Sequence, residues 1–337
     1  MFDAIVIGAG QSGLAAARAL LDHGLTPVVL EAGPEPVGSW PHYYDSLTLF
    51  SPAQYSALPG IAFPGDPDHY PHRDEVIDYL RHYAATLDAD TRTGHRVEAV
   101  DHDGDAFTAR TDTATTFTAP RLIAATGGFG TPHIPTLPGQ DSFTGKLLHA
   151  SRYRSPLEYT GQNVIVVGAG TTAVQIAAEL ADHATVTLAT RTPVKFVPQR
   201  PLGKDLHFWF RITGFDALPL GRFVTNPPIQ PVLDTGRYRA ALTAENPRPD
   251  RCSCDSTATQ PSGRTAHTPP QTRSSWLLAT GQTCPTSQVS AHSPTPACPA
   301  IGTGCPSPTP AWATSAWNGS APPHRTHCAA SAATPNS

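Results

Sequence analysis

The chain has 337 residues, 23 Lys and Arg against 27 Asp and Glu, a formal net charge of -4 and 39% hydrophobic residues. That length allows two domains with cores of their own, and a charge so close to balance, without basic runs, argues against nucleic acid or a membrane surface as partner. No apolar stretch nears the roughly 20 residues that span a bilayer, and no basic leader precedes the first apolar run, so no signal peptide and a cytoplasmic location are expected.

Ala4 to Ile7 is a short apolar run that feeds directly into Gly8-Ala9-Gly10-Gln11-Ser12-Gly13. A helix is predicted over Leu14 to Leu21, ended by Gly24, and a strand over Pro27 to Leu30 that closes on Glu31. This is a strand–helix–strand unit of dinucleotide-binding type. Gly8 permits the tight turn, Gly10 lets the backbone approach a pyrophosphate, and Gly13 permits close packing of helix on strand. The N–H groups of the helix start, Gln11 and Ser12 among them, add their dipoles against phosphate charge. Glu31 stands where a carboxylate accepts the ribose hydroxyls of an adenosine.

Residues 38–71 read as an aromatic loop with Trp40, Tyr43, Tyr44, Phe50, Tyr55 and Phe63. Asp74 to Ala85 follows as a helix, with Val76, Ile77, Leu80 and Tyr83 at helical spacing and expected in the core. Phe107 to Arg110 and Thr115 to Thr118 alternate like a hairpin, and Leu122 to Ala125 reads as a buried strand ending in Thr126-Gly127-Gly128. Pro132, Pro135 and Pro138 carry the chain away as an extended connection.

A second unit repeats the design about 160 residues on, with a strand over Asn163 to Val167, the loop Gly168-Ala169-Gly170, a helix over Thr171 to Leu180 and a strand over Thr185 to Thr190. Thr171 and Thr172 open its helix, and Ala173 stands where a third glycine is usual. The strand closes on Arg191, whose guanidinium matches a 2′-phosphate that a carboxylate would repel, with Lys195 nearby. NADPH is therefore favoured over NADH; the alternative is a solvated surface arginine. Two such loops in one chain are the layout of a flavin enzyme reduced by NAD(P)H. Beyond Phe196 periodicity fades, and Phe208 to Phe210 fit either core or a pocket wall.

Just ahead of the second loop stands Phe143-x-Gly145-x-x-x-His149-x-x-x-Tyr153. This signature resembles that of the flavin-containing monooxygenases, within the class B flavoprotein monooxygenases. Gly38-Ser39-Trp40, Tyr44-Asp45-Ser46-Leu47, Leu58-Pro59-Gly60 and Ala125-Thr126-Gly127 are similar to that family too. The resemblance covers residues 1 to about 250 and is nearest to a bacterial branch often labelled flavoproteins of potassium transport, a label for which the sequence gives no physical reason. It implies FAD and NADPH as cofactors, with Trp40, Thr126 and Gly127 joining the first loop as FAD contacts. It also implies a cycle in which NADPH reduces FAD, the flavin takes up O₂ as a C4a-hydroperoxide, and one oxygen passes to a small amine, sulfide or ketone. The flavin carries that chemistry, so no triad or metal cluster is expected. His149 fits domain linkage as well as proton transfer. Phe50 stands where amine-oxidising members place an asparagine, which weakens N-oxygenation, and Tyr153 in place of Trp-Pro argues against a Baeyer–Villiger enzyme.

From Arg251 onward the composition changes: the last 87 residues hold all six Cys, 13 Pro and only five charged residues. The ordinary reading is a disordered extension. The genetic code supplies a sharper one. With each codon begun one nucleotide earlier, Trp312-Ala313 forces glycine and Trp317-Asn318 forces glutamate, and residues 311–318 can be read as Gly-Leu-Gly-Tyr-Val-Gly-Leu-Glu. In the same frame 274–285 can be read as Val-Val-Leu-Ala-Thr-Gly-Tyr-Arg-Pro-Asp-Leu-Pro, and 328–334 as Leu-Arg-Gly-Val-Gly-Arg-Asp. These resemble the family's last third, so a single-nucleotide frameshift near Arg251 is the expectation, and Leu277-Leu278-Ala279-Thr280-Gly281 as written is taken for coincidence.

The expected architecture is α/β, with two Rossmann-like units: an FAD domain over 1–155, an incomplete NADPH domain over 156–250 and a low-order tail over 251–337. The expected function is an NADPH- and FAD-dependent monooxygenase using O₂ and a small-molecule substrate, with activity of the chain as written left open. Alternatives are a non-catalytic FAD/NADPH-binding protein and another NAD(P)H-dependent flavin reductase. A disulfide reductase would need a CxxC pair, which the chain lacks.

Overall fold

The computed structural model describes residues 1–135, 140, 143–215, 218, 231–244 and 246–250, with the backbone of 251 and 274–278. Its first half runs β1 (Ala4–Ile7), α1 (Gln11–Asp22), β2 (Pro27–Leu30), α2 (Arg73–Thr86), β3 (Asp90–Arg92), β4 (Val97–His102), β5 (Phe107–Thr111), β6 (Thr116–Ala119) and β7 (Leu122–Ala124). A parallel sheet of order β3-β2-β1-β7 carries α1 packed on β1 and β2. Beside it lies the antiparallel sheet β4-β5-β6. The predicted hairpin is thus the outer part of a three-stranded sheet, whose first strand, of mixed exposure, lacks a clean alternation.

The second half runs β8 (Lys146–His149), β9 (Asn163–Val167), α3 (Thr171–Leu180), β10 (Thr185–Thr190), β11 (Phe196–Pro198), α4 (Leu206–Thr213), β12 (Val232–Asp234), α5 (Arg237–Thr243), β13 (Arg248–Arg251) and β14 (Ser274–Leu278). A five-stranded parallel sheet has the order β13-β10-β9-β14-β8. The two sheets repeat one plan: β1 and β9 each precede a glycine loop, with β2 or β10 on one side and β7 or β14 on the other.

Two features depart from the sequence reading. β7 is not a fully buried strand: it pairs only with β1 among the described residues, Leu122 and Ile123 are half-buried, and Ala124 is exposed. Ser274–Leu278, in the suspected frameshift product and sharing Leu277 and Leu278 with the run taken for coincidence, pairs in parallel register with β9 on one side and β8 on the other. Sheet pairing is a backbone property, so a short extended segment takes a slot whose neighbours lie far away in sequence. β8 and β14 thus join the second sheet from beyond the limits 156 and 250. The rest of the suspected frameshift product, including Ala279-Thr280-Gly281, lies outside the described residues.

Apolar periodicity explains the cores. α1 sets Leu14 and Ala17 against Val6 and Val29, and α2 buries Val76, Tyr79, Leu80 and Tyr83 in the same cluster. Tyr79, passed over in the sequence, is buried while Ile77 is only half so. The Tyr79 hydroxyl accepts from Leu58 N–H and donates to Ile61 C=O, both at 2.7 Å, so a phenol serves as core here because both its polar bonds are met. The second core gathers Val164, Val166, Val174, Ile176, Leu180, Val186 and Leu188, together with Tyr44 from the first half.

Candidate functional site

The first glycine loop is built by close backbone approach. Gly8 has φ +99, and a Cβ there would stand 2.5 Å from Ala125 O; a Cβ at Gly13 would stand 1.8 Å from Gly8 O. Gly38, with φ +58, presses its backbone on Gly10, where a Cβ would come within 2.7 Å of Cα. Trp40 Nε1 donates to Gln11 Oε1 at 2.9 Å, tying the Gly38-Ser39-Trp40 turn to the head of α1. The first intrahelical bond there is Leu14 N–H to Gly10 O at 3.0 Å, so the N–H groups of Gln11, Ser12 and Gly13 lie ahead of it. Glu31 is buried; its Oε2 accepts from Ala9 N–H at 2.6 Å and its Oε1 from Gly33 N–H at 2.7 Å. Each oxygen keeps a further lone pair for a ribose hydroxyl. Thr126 and Gly127 follow β7 at the exposed mouth of this loop. Free helix-start donors, a buried acceptor and a cradle too tight for side chains fit an adenine dinucleotide such as FAD.

The second loop is more open. Gly168, with φ +143, donates to Ala189 O at 3.0 Å, and a Cβ at Gly170 would meet nothing within 4 Å. Ala173 is buried, so a methyl group fits where the first loop demands glycine. Thr171 and Thr172 head α3, Thr172 exposed. Arg191 and Lys195 lie exposed past β10, in no ion pair among the described residues. This donor set suits a phosphorylated nucleotide.

The signature residues join the two halves. Phe143 N–H donates to Gln140 O at 3.1 Å, and Gly145 leads into β8. His149 Nδ1 accepts from Ser151 N–H at 3.1 Å and lies 3.0 Å from Ser151 Oγ, capping the single turn Ala150–Arg152. Burial and then His133 hold its pKa below the usual value, so the imidazole is neutral at pH 7. Tyr153 is fully buried; its hydroxyl donates to Glu179 Oε2 at 3.1 Å and its ring packs on Tyr44 and Tyr159. Burial, followed by the Glu179 carboxylate, pushes the Tyr153 pKa up, so it stays a donor. Tyr44 in turn hydrogen-bonds Gln175 on α3, and Arg154 Nη1 donates to Pro41 O at 3.0 Å and Tyr43 O at 2.8 Å. The aromatic loop of the first half is thereby fixed to the helix of the second glycine loop.

A second seam went unseen in the sequence. Asp205, the N-cap of α4, is buried, and its Oδ1 accepts from His207 N–H at 2.9 Å and pairs with His207 Nδ1 at 2.7 Å. Its Oδ2 accepts from Tyr70 Oη at 2.7 Å and Gln199 Nε2 at 2.8 Å, and Gln199 Nε2 also donates to Phe50 O at 2.8 Å. Burial alone would raise the Asp205 pKa; donors from His207, Gln199 and Tyr70 outweigh it and hold it below the ordinary value. Only the N-cap was readable, as an aspartate opening Leu206–Thr213; partners more than a hundred residues away were not.

The family model described as pyridine nucleotide-disulphide oxidoreductase matches residues 5–204. An uncharacterized CzcO-like oxidoreductase of Geobacillus kaustophilus is 35% identical over 229 residues, 66% of this chain and 65% of that protein. Indole-3-pyruvate monooxygenase YUCCA1 of Oryza sativa is 34% identical over 204 residues, 59% of this chain and 50% of that protein. Among solved structures, a flavin-containing monooxygenase from Stenotrophomonas maltophilia aligns with TM-score 0.68 at 28% identity, covering 83% of this chain and 78% of that one. The chain thus spans 50–65% of the length of these two curated relatives. It belongs to the pyridine nucleotide-disulphide oxidoreductase family and, within it, to the flavin-containing monooxygenases.

Proposed function

We propose that this protein is an NADPH- and FAD-dependent monooxygenase that transfers one oxygen atom of O₂ to a small nucleophilic or carbonyl substrate. The observation that carries the reading is the repeated strand–loop–helix plan in one chain, closing on Glu31 in the first copy and on Arg191 in the second. Glu31 with the head of α1 holds the adenosine and pyrophosphate of FAD, and Trp40, Thr126 and Gly127 line its mouth. The head of α3, at Gly168, Gly170, Thr171 and Thr172, holds the phosphates of NADPH, and Arg191 takes the 2′-phosphate. Bound flavin supplies the redox and oxygen chemistry; this chain's residues bind, orient and exclude water. The Tyr44–Gln175 bond holds the aromatic loop of the first half on α3, the Tyr153–Glu179 bond holds the signature turn on the same helix, and His149 shapes the turn between β8 and that seam. A disulfide exchange role lacks its chemistry, since all six cysteines follow residue 251.

The division into an FAD unit, an NADPH unit and a frame-shifted tail belongs to the same proposal. Among the described residues β7 pairs only with β1 and Ala124 is exposed, which favours a chain that holds flavin weakly as written, because parallel sheets are normally covered on both faces. The test is to purify the protein, record bound flavin by its visible spectrum, and follow NADPH and NADH oxidation with thioanisole as acceptor. Flavin binding with NADPH-dependent sulfoxide formation supports the reading. Nucleotide binding without NADPH consumption, in this chain and in one with the frame restored at Arg251, leaves a non-catalytic binding protein instead.

A further inference from the structure

Residues 38–45 run as one short strap from the first nucleotide loop to the helix of the second. At the near end the Gly38 backbone lies against Gly10: a Cβ on Gly38 would stand 2.7 Å from Gly10 Cα and 3.0 Å from Gly10 N. Trp40 Nε1 holds Gln11 at the head of α1. In the middle the chain turns tightly, with His42 N–H bonded to Ser39 O at 2.9 Å and Tyr43 N–H to Trp40 O at 3.2 Å. Tyr43 O accepts from two guanidinium groups, one from each half: Arg73 Nη1 at 2.9 Å and Arg154 Nη1 at 2.8 Å. Asp45 N–H donates to Arg154 O at 3.0 Å. At the far end Tyr44, 3% exposed, sits in the second core and donates from its hydroxyl to Gln175 Oε1. Gln175 stands one helical turn along from Thr171, on the same face of α3.

We propose that residues 38–45 couple the two nucleotide sites, with Tyr44 as the positioning residue that sets the head of α3 through Gln175 once FAD fills the first loop. Phosphate oxygens held by the N–H groups of Gln11 and Ser12 fix the backbone at Gly10, and Gly38, in contact with it, is fixed in turn. The tight turn and the two guanidinium groups carry that order along to Tyr44, and its hydroxyl carries it to α3. Conformational freedom lost along the strap when FAD binds is not lost a second time when NADPH binds, so each nucleotide tightens the other. Linkage makes the factor the same in both directions. A bond that merely braced a loop on a helix would add stability without coupling. The contact of Gly38 with the phosphate-binding backbone is what makes this strap sensitive to FAD.

The inference rests on FAD in the first loop and NADPH at the second, and its test uses NADP⁺, which binds without turnover. NADP⁺ is titrated by calorimetry into the full chain with and without saturating FAD, and FAD with and without saturating NADP⁺. FAD is expected to tighten NADP⁺ about fivefold or more, and NADP⁺ to tighten FAD by the same factor. In Tyr44→Phe the factor falls to about 1, while NADP⁺ affinity without FAD is unchanged. Tyr83→Phe, which loses a bond of the same kind to Pro59 O outside residues 38–45, lowers the melting temperature and keeps the factor. Amide hydrogen exchange on the unaltered chain is the second measurement, with FAD expected to slow exchange at Asp45 and along the head of α3. No coupling in the unaltered chain, an unchanged factor in Tyr44→Phe, or exchange at Asp45 and α3 untouched by FAD overturns the proposal. The exchange readout stands even where a variant does not fold. Both nucleotides bound without coupling, with NADPH oxidised, sinks this inference alone; coupling without NADPH oxidation sinks the enzymatic reading alone. Failure of FAD to bind sinks the inference together with the assignment it rests on.

Discussion

Replacing Gly13 with alanine tests the first nucleotide loop most directly. In an ordinary helix the change would stabilise by about 1 kcal/mol. Here the new Cβ would stand 1.8 Å from Gly8 O. Reaching a tolerable 3.0–3.4 Å requires a movement of roughly 1.2–1.6 Å between the backbone of α1 and the turn after β1 (3.0 and 3.4 less 1.8). No side chain can yield in their place, and α1 carries Leu14 and Ala17, both 0% exposed, which must move with it. Overpacking of this kind costs about 1–3 kcal/mol, and backbone against backbone belongs at or above the upper end, so a net loss of about 2–3 kcal/mol is expected. Over a unit of this size that lowers the melting temperature by about 5–10 °C. The same displacement misplaces the N–H groups of Gln11 and Ser12, and FAD affinity should fall about 10- to 100-fold. Gly130→Ala is the control, since nothing lies within 4 Å of a Cβ there. Thermal melts with and without added FAD, beside flavin titration, read both effects. A Gly13→Ala protein that melts with the control and binds flavin as tightly would refute the close-approach account of this loop.

Arg191→Ala should weaken NADPH binding about tenfold or more with NADH unchanged, checked by titration of both nucleotides; equal losses would make Arg191 a surface residue. Tyr153→Phe should lower stability by about 1–2 kcal/mol through the lost bond to Glu179, seen as a drop of several degrees in the melt. An unaltered melt would mean the hydroxyl does not hold the seam. Because donors hold the Asp205 pKa below its ordinary 3.8, its stabilising contribution is complete above that value and is lost as pH falls through the folded-state pKa. Melting temperatures between pH 7 and pH 3 should therefore fall less steeply in Asp205→Asn than in the unaltered chain; parallel curves would place the acid sensitivity elsewhere.

The sequence by itself determined both nucleotide units. Their strands Pro27–Leu30, Asn163–Val167 and Thr185–Thr190 were legible to the residue, because short apolar runs between glycine turns leave a chain few local choices. Glycine chemistry at Gly8 and Gly13, and the acid and base that close the two units, are likewise local facts. The tertiary structure decided what depends on distant neighbours. Tyr153 reads as a motif letter in the sequence, and only packing shows it bridging to Glu179 beneath Tyr44. Asp205, Gln199 and Tyr70 carry no shared pattern, since a hydrogen-bond cluster needs proximity and not periodicity. Ser274–Leu278 reads as part of a frameshift product until β9 and β8 offer their backbone groups, and the pairing of β7 with β1 alone among the described residues depends on which strands meet, something no single strand's composition encodes.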